Sequence, residues 1–248
     1  MNPQVTRPAP RLRIVGPGRA GLSLADALAE CGWDVATPLG RYDDVGSAAA
    51  GVDLCVIATP DAAIREVAAR IDSRPTAVVA HLSGSVGLEV LAGHPRAAAL
   101  HPLASLPDRV IGAAILRAGV WWAVDGDPLA SAVVADVGGR ILTPADRATY
   151  HATACIAANH VVALMAQVER LAEANGLPAA PFYELAEAAL GNARRVGAVA
   201  ALTGPAARGD RTTIERHLAA LPDDEIGLYA AVADAAARIP TREVAACR

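Results

Sequence analysis

A handful of side chains in this chain could move a proton or hold a small acid. His101 is followed by Pro102, whose ring fixes the local backbone and helps aim the imidazole; such a histidine can give or take a proton near neutral pH. A structural histidine satisfied by backbone is the alternative. His151, Cys155 and Asn159 fall at successive i, i+4 positions. At about 100° per residue, His151 and Asn159 are about 80° apart and can face one cleft, whereas His160 points nearly opposite to His151. Asn159 sits in an apolar run, CIAANHVVAL, where an amide is costly unless hydrogen-bonded. It therefore bonds either a neighbouring helix or a substrate oxygen. Farther on, LTGPAARGD (Leu202 to Asp210) breaks two helices. Arg208 can present a two-pronged fork to a carboxylate. Asp210 beside it either shares in binding that substrate or caps the next helix.

Lysine is absent: every basic residue among the 22 Lys+Arg is an arginine. Schiff-base catalysis and a lysine general acid are excluded, because arginine keeps its proton near neutral pH.

A second kind of chemistry, the gripping of phosphates, belongs to Gly16, Gly18 and Gly21 in GPGRAG. The short apolar run Leu12, Ile14, Val15 precedes them, an Ala/Leu helix follows, and a second strand spans Trp33 to Thr37. Gly16 lets the chain turn off the strand, Gly18 lets a pyrophosphate approach, and Gly21 lets the helix pack close to the sheet. The turn formed by Gly16, Pro17, Gly18, Arg19, Ala20 and Gly21 then holds the phosphates against the helix N-terminus, with its free N–H groups and positive dipole end. This is a dinucleotide site. Where an NAD enzyme usually places an acid, the second strand exits through Ala36-Thr37-Pro38, with Asp34 at its entrance and Arg41 just beyond. An arginine can pair with a 2′-phosphate that a carboxylate would repel, so NADP is favoured, with Thr37 and Arg41 flanking it. The alternative for Arg41 is a solvated loop residue. Thr59, Pro60 and Ser83 also stand at strand ends, where ligands of open α/β sheets gather; capping of the next helix is an equal reading for Thr59 and Ser83.

The elements that position these residues divide in two. Apolar strands at Asp53–Ala58, Thr76–His81, Ala97–Leu100, Val120–Val124 and Arg140–Leu142, with helices between, give an α/β domain over 11–143, Rossmann-like with a mostly parallel sheet. Residues 1–10 read as a disordered lead. Thr143-Pro144-Ala145-Asp146 has the form of a helix start, and no breaker follows until Asn175-Gly176. That is one helix of about 30 residues, roughly 45 Å, the spine of an all-α domain over 144–248. Further helices are expected at Phe182–Leu202, Thr212–Leu221 and Asp223–Arg238, with Thr212-x-x-Glu215 as a capping box.

The 248 residues, 53% of them hydrophobic, suffice for two domains. A net charge of −4 without a basic stripe argues against nucleic acid and anionic membranes as partners. Cys31, Cys55, Cys155 and Cys247 form no C-x-x-C pair, which argues for reduced thiols and against disulfides or a metal site. The opening MNPQVTRPAP has no apolar leader and no apolar run of about 18 residues follows, so a cytoplasmic protein is expected.

GPGRAG at Gly16 to Gly21, HLSGS at His81 to Ser85, LHPLASL at Leu100 to Leu106, YHATACIAANHVVAL at Tyr150 to Leu164 and LTGPAARGD at Leu202 to Asp210 together resemble one family. It consists of Rossmann-like NADP-binding oxidoreductases with a C-terminal helical domain of unknown function. It stands beside ketopantoate reductase, deazaflavin-dependent NADP reductase, prephenate dehydrogenase and pyrroline-carboxylate reductase. The resemblance implies an NADP-linked oxidoreductase whose helical domain closes over the nicotinamide and forms much of a homodimer interface. Some members look like an alternative ketopantoate reductase. Better-known ketopantoate reductases place a catalytic lysine four residues before an asparagine on this helix; here Cys155 stands there before Asn159, so that mechanism does not carry over. His101-Pro102, and His151 with Asn159-His160, are similar to prephenate-dehydrogenase-like histidine motifs.

The expectation is an NADPH-dependent reductase of a small 2-oxo acid. Arg208 anchors the carboxylate, Asn159 holds the carbonyl oxygen, and His101 or His151 supplies the proton. An imine reductase of the pyrroline-carboxylate type and a non-catalytic NADP-binding regulatory protein are the alternatives.

Overall fold

The structure, a computed structural model, describes residues 8–239. The expected disordered lead, up to residue 7, and Cys247 lie outside the described residues. Strands β1 (Arg11–Val15), β2 (Asp34–Val35), β3 (Leu54–Ile57), β4 (Val78–His81), β5 (Ala97–Pro102), β6 (Trp121–Gly126) and β7 (Arg140–Leu142) form one sheet. Their order is β2-β1-β3-β4-β5-β6-β7, and only β5–β6 is antiparallel. Helices α1 (Arg19–Glu30), α2 (Asp61–Arg70), α3 (Arg109–Arg117) and α4 (Leu129–Asp136) flank it. The expected Rossmann-like α/β fold, with a helical region after it, is the one observed.

Strand periodicity builds two apolar layers. Leu54 and Val56 join Leu24, Leu28, Leu116 and Val133 on one face, while Cys55 and Ile57 join Ile64 and Leu91 on the other. Each such side chain contributes roughly 1.5–3 kcal/mol by leaving water. Burial pushes the Cys55 thiol up to about 12, which leaves it inert. The strand order reverses at β1, so a crevice lies outside the carboxyl ends of β1 and β3. Gly16, Thr59, Ser83 and His101 all fall at that edge because β1, β3, β4 and β5 run parallel.

The long helix differs from its expected form in three ways. It starts at Arg147, not near Thr143: Pro144 disfavours helical backbone before it, and Asp146 caps the helix by accepting from Ala148 N and Thr149 N. It comprises α5 (Arg147–Cys155), a π turn (Ile156–His160) and α6 (Val161–Ala174), rather than an unbroken α-helix. Its span Arg147–Ala174 also contains an 18-residue window of mean hydropathy 1.2, long and apolar enough to cross a membrane by length and composition alone. The expectation that no segment reaches that mark is corrected. Polar His151, Asn159 and Gln167 are scattered through the span and interrupt every strictly apolar run.

Helices α7 (Ala180–Val196), α8 (Ala198–Ala201), α9 (Pro205–Arg208), α10 (Arg211–Ala220) and α11 (Asp223–Ala237) follow. Gly197, at φ 84°, divides the helix expected over Phe182–Leu202. One compact unit ends at Asn159 and the other begins at His160, later than the division expected between 143 and 144. The first turns of the long helix fold with the sheet: Arg147 Nη2 donates to Ser83 O at 2.7 Å. The helical unit is held in part by Glu225, whose backbone oxygen accepts from Gln167 at 2.8 Å and whose carboxylate pairs with Arg170.

Candidate functional site

The glycines of the opening turn have distinct surroundings. Gly16 has φ +99°, and a Cβ there would stand 2.8 Å from Ala58 O. At Gly21 a Cβ would stand 2.6 Å from Gly16 O and 2.8 Å from Ile14 Cγ2. At Gly18 it would meet nothing within 4 Å. The protein itself therefore demands Gly16 and Gly21, while Gly18 keeps open the space a pyrophosphate needs. Helix α1 has no side-chain cap and no acid in its first turn, so the N–H groups around Arg19 and Ala20 and the positive dipole end are unopposed. Beneath the turn, Thr59 Oγ1 is buried without a partner among the described residues, an unmet hydroxyl that a ligand oxygen would satisfy. Pro17, Gly18 and Arg19 are exposed. These residues fit a dinucleotide.

The turn after β2 lies against this cradle, since a Cβ on Gly40 would be 4.0 Å from Pro17 Cγ. Thr37 and Arg41 are both exposed, and Arg41 makes no ion pair among the described residues. Asp34 is engaged at the opposite end of β2 by Arg11, at 2.9 Å. Asp43 Oδ2 accepts from Gly40 N at 2.7 Å and shapes the turn. Pro60 is the N-cap residue of α2. Ser83 caps no helix: its hydroxyl donates to Asp61 Oδ2 at 2.7 Å and accepts from Val86 N at 3.1 Å, bracing the turn after β4.

A cavity of about 610 Å³ opens beside the end of β5, with His101, Ser105, Tyr150, His151, Cys155 and Asn159 among its walls. His101 Nδ1 lies 2.8 Å from Tyr150 OH, and the two histidine rings meet edge to face with centroids 5.4 Å apart. His151 Nε2 is 3.6 Å from Cys155 Sγ, while its Nδ1 is buried without a partner. Gly84 separates the imidazoles from the chain after β4. A Cβ there would overlap His151 Nδ1 and stand 2.9 Å from His101 Nε2. His81 fixes this turn, its Nδ1 accepting from Ser83 N at 3.2 Å and its Nε2 bonded to Gly87 O at 3.3 Å. Asn159 is exposed rather than buried and lies within the π turn; His151 and Asn159 do share one cavity.

Burial, then the charges of His151 and Arg147, depresses the His101 pKa to about 4. His101 is thus a neutral imidazole at neutral pH, and the expected role of an imidazolium donor does not suit it. The same shift predicts a pH-dependent stability. Between the ordinary histidine value of 6.5 and about 4, the unfolded chain binds a proton that the folded chain refuses. Stability therefore falls as pH drops through that window, by roughly 2–3 kcal/mol. Urea unfolding at about pH 7 and about pH 5 should show this loss, and His101→Asn should reduce it, leaving the share of His81, whose pKa burial also lowers; identical pH dependence in both proteins would remove His101 as a cause.

In the helical unit, Arg208 is exposed at the end of α9 and makes no ion pair among the described residues. Asp210 caps α10: Oδ1 accepts from Thr213 N at 3.0 Å and Oδ2 from Thr213 Oγ1 at 2.7 Å. The cap is therefore Asp210, as its capping reading has it, rather than the Thr212 of the expected box, and both its oxygens are engaged by Thr213. Tyr150, Gly84 and Arg147 were not singled out by sequence. An aromatic hydroxyl adjoining His151, in a chain only 3% aromatic, was the available signal for Tyr150.

Residues 122–236 match the family model described as a domain of unknown function (DUF2520). No curated protein matches the chain. Among solved structures, a Bacteroides fragilis protein assigned as an NADP oxidoreductase superposes with a TM-score of 0.77 at 19% identity, covering 92% of this chain and 98% of that one. A reductive aminase from Aspergillus terreus, in complex with NADPH and ethyl levulinate, gives 0.65 at 17% identity, over 93% and 94% of the two chains. 1-Pyrroline-5-carboxylate reductase from Streptococcus pyogenes gives 0.61 at 14%, over 93% and 99%. The expected resemblance holds at the level of the Rossmann-like fold and of the matched domain of unknown function.

Proposed function

We propose that the chain is an NADP(H)-linked oxidoreductase that reduces the carbonyl of a small 2-oxo acid of the ketopantoate type. One observation carries this reading: a cradle shaped for a diphosphate and a cavity walled by two histidines, a tyrosine and an amide stand at the same carboxyl edge of one sheet. Reduced nicotinamide, when bound, supplies the hydride. The amides around Gly18 grip the diphosphate, and Arg41 pairs with the 2′-phosphate. Asn159 orients the carbonyl oxygen through its amide N–H, and the proton comes from the His101–His151 side of the cavity. Arg208 supplies the fork for the substrate carboxylate. Positioning contributes most of the rate, and acid catalysis about 10² to 10⁴ more.

Arg41→Ala tests the cofactor assignment. NADPH affinity should fall about tenfold or more, by loss of one charge-assisted pair, while NADH affinity stays near its starting value. Equal losses on both nucleotides in calorimetry would reduce Arg41 to a loop residue. Turnover with ketopantoate, followed as NADPH oxidation, tests the reaction. Esterifying the substrate carboxylate should weaken its use by the wild type and leave Arg208→Ala indifferent.

The absence of lysine and the neutrality of His101 favour a second reading, reduction of an imine, which can arrive already protonated and needs no strong acid. Turnover of cyclic imines but not oxo acids, rising as pH falls, selects it. Exposed apolar side chains of the helical unit, including Val162, Leu185 and Leu190, support a homodimer through that unit. A monomer in sedimentation analysis at working concentration would contradict it.

A further inference from the structure

We infer that Tyr150, held by His101, is the group that hands the proton to the substrate; this rests on the reductase reading above. The phenol lines the cavity and lies 2.8 Å from His101 Nδ1, with the two rings edge to face at 5.5 Å. A neutral imidazole carries one N–H. His101 Nε2 has no hydrogen-bond partner among the described residues, whereas Nδ1 has the phenol oxygen. Placing the hydrogen on Nδ1 lets His101 donate to that oxygen, which leaves the phenolic O–H free to point into the cavity. The neighbouring candidate is engaged elsewhere: His151 Nε2 faces Cys155, and its Nδ1 is buried against Gly84. Burial raises the Tyr150 pKa, so the phenol keeps its proton through the neutral range and acts as a donor.

The step balances. As the substrate carbon accepts hydride from a reduced nicotinamide, its C=O π pair moves to oxygen, and that oxygen takes the Tyr150 proton. The phenol O–H bond breaks, and the phenolate is stabilised by the His101 Nδ1–H. A water at the cavity mouth returns the proton. With an imine that arrives unprotonated the same proton goes to nitrogen. Tyr150 is the catalytic residue in this step, and His101 positions it.

Tyr150→Phe, which removes one oxygen and keeps the ring, is the test, made on the full chain beside the wild type. NADPH affinity by calorimetry should stay within about twofold, and kcat on ketopantoate, or on a cyclic imine at a pH where that imine is unprotonated, whichever the wild type reduces, should fall about 10² to 10⁴-fold. In the nucleotide-free protein, the His101 Nδ1 resonance should move in the variant, because its phenolic partner is gone. Replacing the tyrosines with fluorotyrosine, which keeps the hydroxyl, should retain turnover. An unchanged kcat in Tyr150→Phe, or an unmoved His101 resonance, overturns the assignment while the reductase reading stands. A wild type that binds NADPH yet reduces neither substrate class overturns the reductase reading, and this one with it.

Discussion

Gly84→Ala is expected to bind NADPH as the wild type does and yet lose turnover by about a hundredfold or more. The added methyl would overlap His151 Nδ1 and stand 2.9 Å from both His101 Cε1 and Nε2. Gly84 does not have the positive φ that excludes other residues, so its backbone accepts alanine. What yields is the ring ends of the two histidines rather than the chain, and overpacking of this kind costs roughly 1–3 kcal/mol. The damage falls on geometry: a displacement of about 1 Å at a reacting group is enough for a 10²-fold loss. Gly93→Ala, where a Cβ would meet nothing within 4 Å, is the silent control. Stopped-flow turnover beside calorimetric nucleotide binding checks the result. A Gly84→Ala protein that turns over at the wild-type rate would mean the histidine pair lies outside the chemistry.

The second large effect is a contrast inside the opening turn. Gly18→Val should lower stability by no more than the roughly 1 kcal/mol of a poorer N-cap and weaken nucleotide binding about a hundredfold or more, because its side chain enters space that only a ligand would occupy. Gly21→Ala should instead destabilise the fold by roughly 1–3 kcal/mol. Its Cβ would press on Gly16 O, Ile14 Cγ2 and Ala58 Cβ, at 2.6, 2.8 and 2.9 Å, and the first of these is backbone that cannot swing aside. Thermal melts with and without NADPH separate the two. A Gly18→Val chain that binds as tightly as the wild type would contradict the cradle.

The cradle was legible in sequence because each glycine answers a local demand: a turn off β1, an open approach, a close helix–strand contact. The strands were legible because both faces of the sheet are covered, which writes near-continuous apolar runs such as LCVI and VVAH. The cavity was only half legible. His101, His151 and Asn159 could be proposed from type and spacing, but His101 meets Tyr150 across 49 residues of chain, and Arg147 meets Ser83 across 64. No local pattern records such pairings. The π turn escaped because it differs from an α-helix by how Ile156–His160 close their hydrogen bonds, not by composition. Helix starts were misplaced wherever two capping residues competed: Asp146 prevailed over Thr143 and Asp210 over Thr212, a carboxylate being the stronger acceptor for the first amides.

The central claim is that the Gly16 to Gly21 turn brings the first amides of α1, from Arg19 onward, to a dinucleotide diphosphate and that Arg41 accepts its 2′-phosphate. Calorimetric titration of the purified chain with NADPH and then NADH tests it most directly. One site per chain, with NADPH bound about tenfold or more tightly than NADH, is the predicted result; no binding heat with either nucleotide would contradict the account.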